Sequence, residues 1–107
     1  VFEAPIDLLS YLTLYSEEWK EHSYVACCGT SPIPVLTMLQ RMKTPQAVYL
    51  CLDNDRAGHE ASLKIAEQVG ERFHIASDRL IPGQKDWNED LCVLREAPKQ
   101  GMAMGMR

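Results

Sequence analysis

Apolar residues along the chain recur at helical spacing in three stretches and run together in others, and the switches between the two patterns mark the elements. Leu8, Leu12, Tyr15 and Trp19 stand at i, i+4, i+7 and i+11, one stripe of a helix, with Asp7 just before them as a candidate cap. The segment 2–7 is therefore expected to turn from strand into helix. Residues 24–28 form a short apolar run ending at Gly29-Thr30-Ser31; after Pro32, the residues Val35, Leu36, Leu39 and Met42 return to helical spacing, with Pro34 suited to a first turn. The stretch 47–52, Ala-Val-Tyr-Leu-Cys-Leu, has no polar alternation, as expected for a strand covered on both faces in a parallel sheet, and it runs into Asp53-Asn54-Asp55-Arg56-Ala57-Gly58. Ala61, Ile65, Ala66 and Val69 predict a third amphipathic helix that stops at Gly70. A fourth strand, more amphipathic and so nearer an edge, is expected at about 73–76. A loop over 81–85 and Asp86-Trp87-Asn88 lead into a last short helix around 89–95. The tail 98–107 is rich in Gly and Met, has no period and is expected to be flexible, which places the ordered domain at 1–97.

Alternating strands and helices predict an open α/β sheet of about four mostly parallel strands, with right-handed crossovers and helices on both faces. Ligands of such sheets bind outside the carboxyl ends of the strands. Those ends carry Glu3 with Asp7, then Gly29-Thr30, then Asp53-x-Asp55, and the fourth leads by a longer loop to Asp86. If the strands are parallel, these carboxylates converge on one rim and repel one another unless a hard cation neutralises them. Oxygen ligands without Cys or His point to Mg²⁺ or Mn²⁺. In extended backbone an Asp-x-Asp step aims both carboxylates to one side. Gly58, just before the third helix, permits a tight turn and leaves helix N-terminal amides facing a phosphate. Simpler readings exist for each part: Asp-x-Asp in a loop is usually solvated, an Asp at a helix start is usually a cap, and a receiver-like phosphoacceptor domain also has acidic strand ends. The joint placement on strand ends is what favours the metal site.

Composition narrows the setting. At 107 residues and 46% hydrophobic, the chain has material for one core, so a single fold must explain every motif. No stretch approaches the roughly 18–20 apolar residues of a membrane span, and no charged leader precedes an apolar run, so a cytoplasmic protein without membrane contact is expected. The chain lacks an initiator Met and opens on Val1-Phe2-Glu3 like the end of a strand, which reads as a fragment of something longer. Cys27, Cys28, Cys51 and Cys92 show neither a Cys-x-x-Cys pair nor a His spaced to complete a zinc site, and three lie in apolar runs, as reduced core thiols do. A net charge of −4 is the wrong sign for gripping a phosphate backbone unaided, so nucleic-acid affinity has to come from bound metal, a local patch or another domain. Trp87 is expected to pack the last loop onto the body, although base stacking is an alternative; His59 and His74 have no partner at ligand spacing, and Met38 and Met42 are expected in the core.

Glu3-Ala4-Pro5-Ile6-Asp7, Gly29-Thr30, Asp53-Asn54-Asp55-Arg56-Ala57-Gly58 and Lys85-Asp86, in that order and at that spacing, resemble the Toprim domain over about 1–91. This Rossmann-like catalytic domain is shared by DnaG-type primases, type IA and II topoisomerases, OLD-family nucleases and small RNA-maturation nucleases. The Asp-x-Asp-x-Ala-Gly form, the Gly-Thr step and the Asp-Trp-Asn ending look most like the primase branch, especially primase-like proteins of plasmids and other mobile elements. The resemblance implies that Glu3 is a metal ligand or general acid/base, that Asp53 and Asp55 are catalytic and hold Mg²⁺ (Mn²⁺ as a substitute), and that Asp7 and Asp86 support them. Gly29, Thr30, Arg56, Gly58 and Lys85 are the candidates for phosphate or nucleotide contact. It further implies DNA and nucleoside triphosphates as partners in a larger replication protein, with a helicase or another replication protein as a docking partner, and nucleotidyl transfer as the reaction. Activity is expected of the larger protein, not of this piece alone. A Toprim nuclease and a degenerate domain that binds metal, DNA or a partner without turnover are the alternatives. Two positions depart from the primase pattern: Ala4 stands where Gly is usual, and Asn88 where a second Asp is usual, which removes one charge from the metal site.

Overall fold

The computed structural model describes residues 1–17 and 19–101. In chain order the elements are α1 (Pro5–Leu14), a 3₁₀ turn (Trp19–Glu21), α2 (Ile33–Arg41), β1 (Ala47–Leu50), α3 (Arg56–Phe73), β2 (Ala76–Arg79) and α4 (Trp87–Gly101). α4 runs beyond the short helix expected around 89–95 and takes in the first four residues of the expected tail, while the last six lie outside the described residues.

The sheet is smaller than expected. Among the described residues two strands pair, β1 with β2, in parallel and in the register Ala47↔Ala76 to Leu50↔Arg79, with α3 as the crossover. The first two expected strands shrink to an isolated parallel bridge between Phe2 and Ala26. The Phe2 amide donates to the Val25 carbonyl at 2.9 Å and the Cys27 amide to that of Phe2 at 2.8 Å; on the other side, the Cys51 amide donates to the Val1 carbonyl at 2.8 Å. The first segment thus lies beside β1 and the second beside the first, but both are too short to build a ladder. Pro5 starts a helix three residues after Phe2, and the positive φ of Cys28 (54°) and Gly29 (142°) bends the second segment away.

Several boundaries move for local reasons. β1 is not covered on both faces throughout: Val48 and Leu50 are buried while Tyr49 is 44% exposed, and only at Cys51 and Leu52 are both faces closed. α3 runs past Gly70 by a turn, because His74 rather than Gly70 adopts the left-handed cap conformation (φ 54°), its amide bonded to the Gly70 carbonyl. That extra turn takes up the start of the strand expected at 73–76, so β2 begins at Ala76. α1 opens on Pro5 with no side-chain cap, and Asp7 faces inward in its first turn instead of capping it. The helix stops at Leu14, so Trp19 belongs to the exposed 3₁₀ turn and the four-residue stripe is not continuous. Cys28 is exposed, unlike the buried Cys27 and Cys51, and Met42 is exposed as well.

Two packed clusters flank β1. One is aliphatic, with Val35, Leu36 and Leu39 of α2 and Ile65 and Val69 of α3 against Val48, Leu50 and Leu52. The other is aromatic, with Phe2, Cys51 and Trp87 at its centre and Tyr11 and Leu14 packed on it. The Trp87 indole N–H donates to the Cys51 carbonyl at 2.8 Å and its ring meets Tyr11 edge-on, so Trp87 does tie the last loop to the body. No helix among the described residues is long and apolar enough to cross a membrane.

Candidate metal centre

The carboxyl end of β1 carries the chain from Leu52, fully buried, straight into Asp53. α1 brings Asp7 to the same place from the aromatic side, where the residue is buried and its carboxylate accepts the Asn88 backbone amide at 3.2 Å. The loop before α4 brings Asp86, whose carboxylate also caps that helix through the Glu89 amide at 2.8 Å. One carboxylate oxygen from each of Asp7, Asp53 and Asp86 lies within 4.8 Å of the other two.

Glu3 and Asp55 border this trio. Glu3 Oε1 accepts the Asp53 amide at 3.3 Å. Asp55 is the N-cap of α3, its Oδ1 accepting the Gly58 amide at 2.7 Å. Both still act on the trio through charge. Burial first, and then the carboxylates of Glu3, Asp7, Asp86 and Asp55, push the Asp53 pKa up to about 7. Burial likewise raises Glu3, against the pull of the Asp53 amide, and raises Asp7, against the pull of the Asn88 amide.

The residues proposed for phosphate contact are spread around the rim. The Gly29 amide donates to the Glu3 carbonyl at 2.9 Å, and Thr30 is exposed beside it. The Gly58 amide is taken by Asp55, and what demands glycine there is crowding: a Cβ would overlap the Asp53 carbonyl oxygen and lie 2.9 Å from its carbon. Arg56 is solvent-exposed and paired with Glu60 at 3.0 Å. Lys85 has an exposed side chain, while its carbonyl accepts the Asn54 amide at 2.6 Å and so docks the 81–86 loop on the Asp53-Asn54-Asp55 turn.

Three contributors were not singled out in the sequence. Asp90 accepts the Gly83 and Gln84 amides at 2.9 and 2.6 Å and fastens the loop that carries Asp86. Ser10, 2% exposed, shares its hydroxyl proton between the Ile6 carbonyl at 2.8 Å and Asn88 Oδ1 at 3.2 Å, which joins α1 to α4 behind Asp7. Arg79, the last residue of β2, reaches back under the Asp53 turn and bonds several of its carbonyls. An arginine in an otherwise amphipathic edge strand was the available signal.

The donor set fits a hard divalent cation. It consists of carboxylate oxygens, and Asp53 Oδ1 is buried without a hydrogen-bond partner, a costly state for a carboxylate that a cation relieves. Asp53, Asp7 and Asp86 would hold such an ion, with Glu3 and Asp55 adding negative potential beside it.

A family model described as Toprim-like matches residues 1–91. Comparison with curated proteins and with solved structures gives no match.

Proposed function

The chain belongs to the Toprim-like family, whose domains in general bind divalent metal and act on nucleic acids, and from that premise we propose that it is the catalytic domain of a primase-like replication protein of the mobile-element type. Its reaction is nucleotidyl transfer on a DNA template: a 3′-hydroxyl, giving up its proton to a base, attacks the α-phosphate of a nucleoside triphosphate, the new phosphodiester forms as the α–β phosphoanhydride bond breaks, and pyrophosphate leaves. The observation that carries the reading is the buried, unpartnered Oδ1 of Asp53 within a trio of carboxylates at the end of a parallel strand. The sequence supports the finer assignment through Asp53-x-Asp55-x-Ala57-Gly58 and Gly29-Thr30.

When bound, the cation supplies charge stabilisation at the reacting phosphate. The chain's own part is to hold its ligands. Asp53 is set by β1 and by the packing of Gly58, Asp7 by the first turn of α1, and Asp86 by the start of α4. Glu3, next to Asp53 and raised in pKa by burial, is suited to exchange a proton near the reacting groups. With a chain charge of −4, the template is held by other parts of the replication protein, with a helicase as the partner that delivers it.

The test pairs binding with turnover. Asp53→Asn is expected to abolish Mn²⁺ binding by the 107-residue chain in calorimetry and template-directed synthesis by the full-length protein. Retained binding in the variant removes the site assignment; DNA cleavage without synthesis by the unmodified protein replaces the primase reading with a nuclease one.

A further inference from the structure

The ladder between β1 and β2 ends three residues before Asp53, where the site begins. Its last pair is Leu50↔Arg79, after which the Leu80 amide donates to the Leu50 carbonyl at 3.0 Å and the chain leaves for the 81–86 loop. Beyond Leu50 the chain runs through Cys51 and Leu52 to Asp53, and among the described residues no strand pairs with this stretch on the side of β2. Arg79 fills the gap with its side chain. Nη1 donates to the carbonyls of Leu52 at 2.7 Å, Leu50 at 3.2 Å and Leu80 at 3.3 Å, and Nη2 donates to that of Asp53 at 2.7 Å. Nη2 also meets His59 Nδ1 at 3.2 Å; because a guanidinium only donates, that ring nitrogen accepts.

We propose that Arg79 is the positioning residue of the metal centre, a guanidinium that replaces the missing strand and fixes the backbone from which the Asp53 carboxylate projects. The proposal rests on the reading that the acid trio holds a divalent cation. Two observations beyond the hydrogen bonds support it. The Asp53 carbonyl accepts Arg79 Nη2 and lies so close to Gly58 that a Cβ there would overlap its oxygen, so this peptide is crowded as well as hydrogen-bonded. The same cation sits within the field of Glu3, Asp53 and Asp55, so it offsets part of their repulsion without touching their carboxylates. Lysine cannot substitute: its three donors radiate from one atom and do not span carbonyls of Leu50, Leu52 and Asp53 spread along the chain. Metal ligands tolerate only small displacements, of order 0.5 Å, before affinity falls.

The experiment measures Mn²⁺ affinity of the 107-residue chain by calorimetry, at a temperature where melting curves show each variant folded, beside the Tm in chelator. Arg79→Lys and Arg79→Gln are expected to weaken binding at least tenfold in the folded protein. A residue with only a structural role lowers Tm and leaves the affinity of the folded molecules within twofold; that result overturns the proposal. If neither variant folds, NMR of the unmodified protein decides: clamped Nη groups give separate, slowly exchanging proton signals for Arg79, and a single averaged, fast-exchanging signal overturns it. Wild-type protein that binds no Mn²⁺ removes the metal-centre reading and this inference together, whereas wild-type binding matched by Arg79→Lys removes this inference alone.

Discussion

The two sides of β1 are packed by different chemistry. On one side α2 and α3 press Val35, Leu36, Leu39, Ile65 and Val69 onto Val48, Leu50 and Leu52, an aliphatic layer held by area alone. On the other, α1 and α4 enclose Phe2, Tyr11 and Trp87, where ring geometry and the indole bond to Cys51 fix orientations as well as distances. Asp7, Asp86 and Asn88 all enter from this aromatic side. The aliphatic side therefore carries the stability of the crossover, and the aromatic side sets the positions of two of the three acids. A layer that only excludes water tolerates sliding, whereas a layer that aims carboxylates needs directional contacts.

The contrast is broken most severely at Trp87. Trp87→Ala is expected to cost about 3–5 kcal/mol and to lose metal affinity as well, since Asp86 and Asn88 adjoin it; a chemical melt with and without Mg²⁺ measures both effects. Ile65→Ala, fully buried on the aliphatic side, is expected to cost roughly 2–5 kcal/mol and leave the Mn²⁺ affinity of the folded protein unchanged. A large affinity loss there would mean that the two sides are not separable.

A third expectation concerns protons. Asp53 rises from 3.8 to about 7 on folding, because burial and four neighbouring carboxylates favour its neutral form. The metal-free fold therefore binds a proton more tightly than the unfolded chain does. This contribution to stability is full below about pH 4 and is lost as pH rises through about 7. Glu3 and Asp7, also raised, act in the same sense. In chelator the Tm contribution of these three acids falls between pH 5 and pH 8, and added Mg²⁺ raises Tm more at pH 8 than at pH 5; equal increments at both would contradict the raised pKa of Asp53. The smallest effect is expected from Ser10→Ala, about 1 kcal/mol from the lost bond to Asn88, read as a modest Tm shift with a detectable loosening of Mn²⁺ binding.

What the sequence made legible was local. Pro34 in the first turn of α2 and the run into Asp53-x-Asp55 are each decided by neighbours within a few positions, whereas Trp87 announces burial by its ring alone and finds its partners, Cys51 and Tyr11, far off in the chain. The sequence marks Asp7 both as an acid of the site and as a candidate helix cap; Pro5 already supplies the start that a cap would make. Gly70 has the character of a stop, but Phe73, one turn later, packs against the aliphatic cluster and draws the helix on to His74. Arg79 was invisible because its role depends on where β2 ends relative to β1, a register that no single segment contains. The four-strand expectation failed for a similar reason: apolar runs at 2 and 24–28 announce extended chain, but not how many residues remain to pair.

Asp55 and Asp86 each close the first turn of a helix with a carboxylate that also belongs to the acid rim. Capping and metal binding therefore draw on the same side chains, so a substitution that removes either acid unties a helix start and thins the rim in one step.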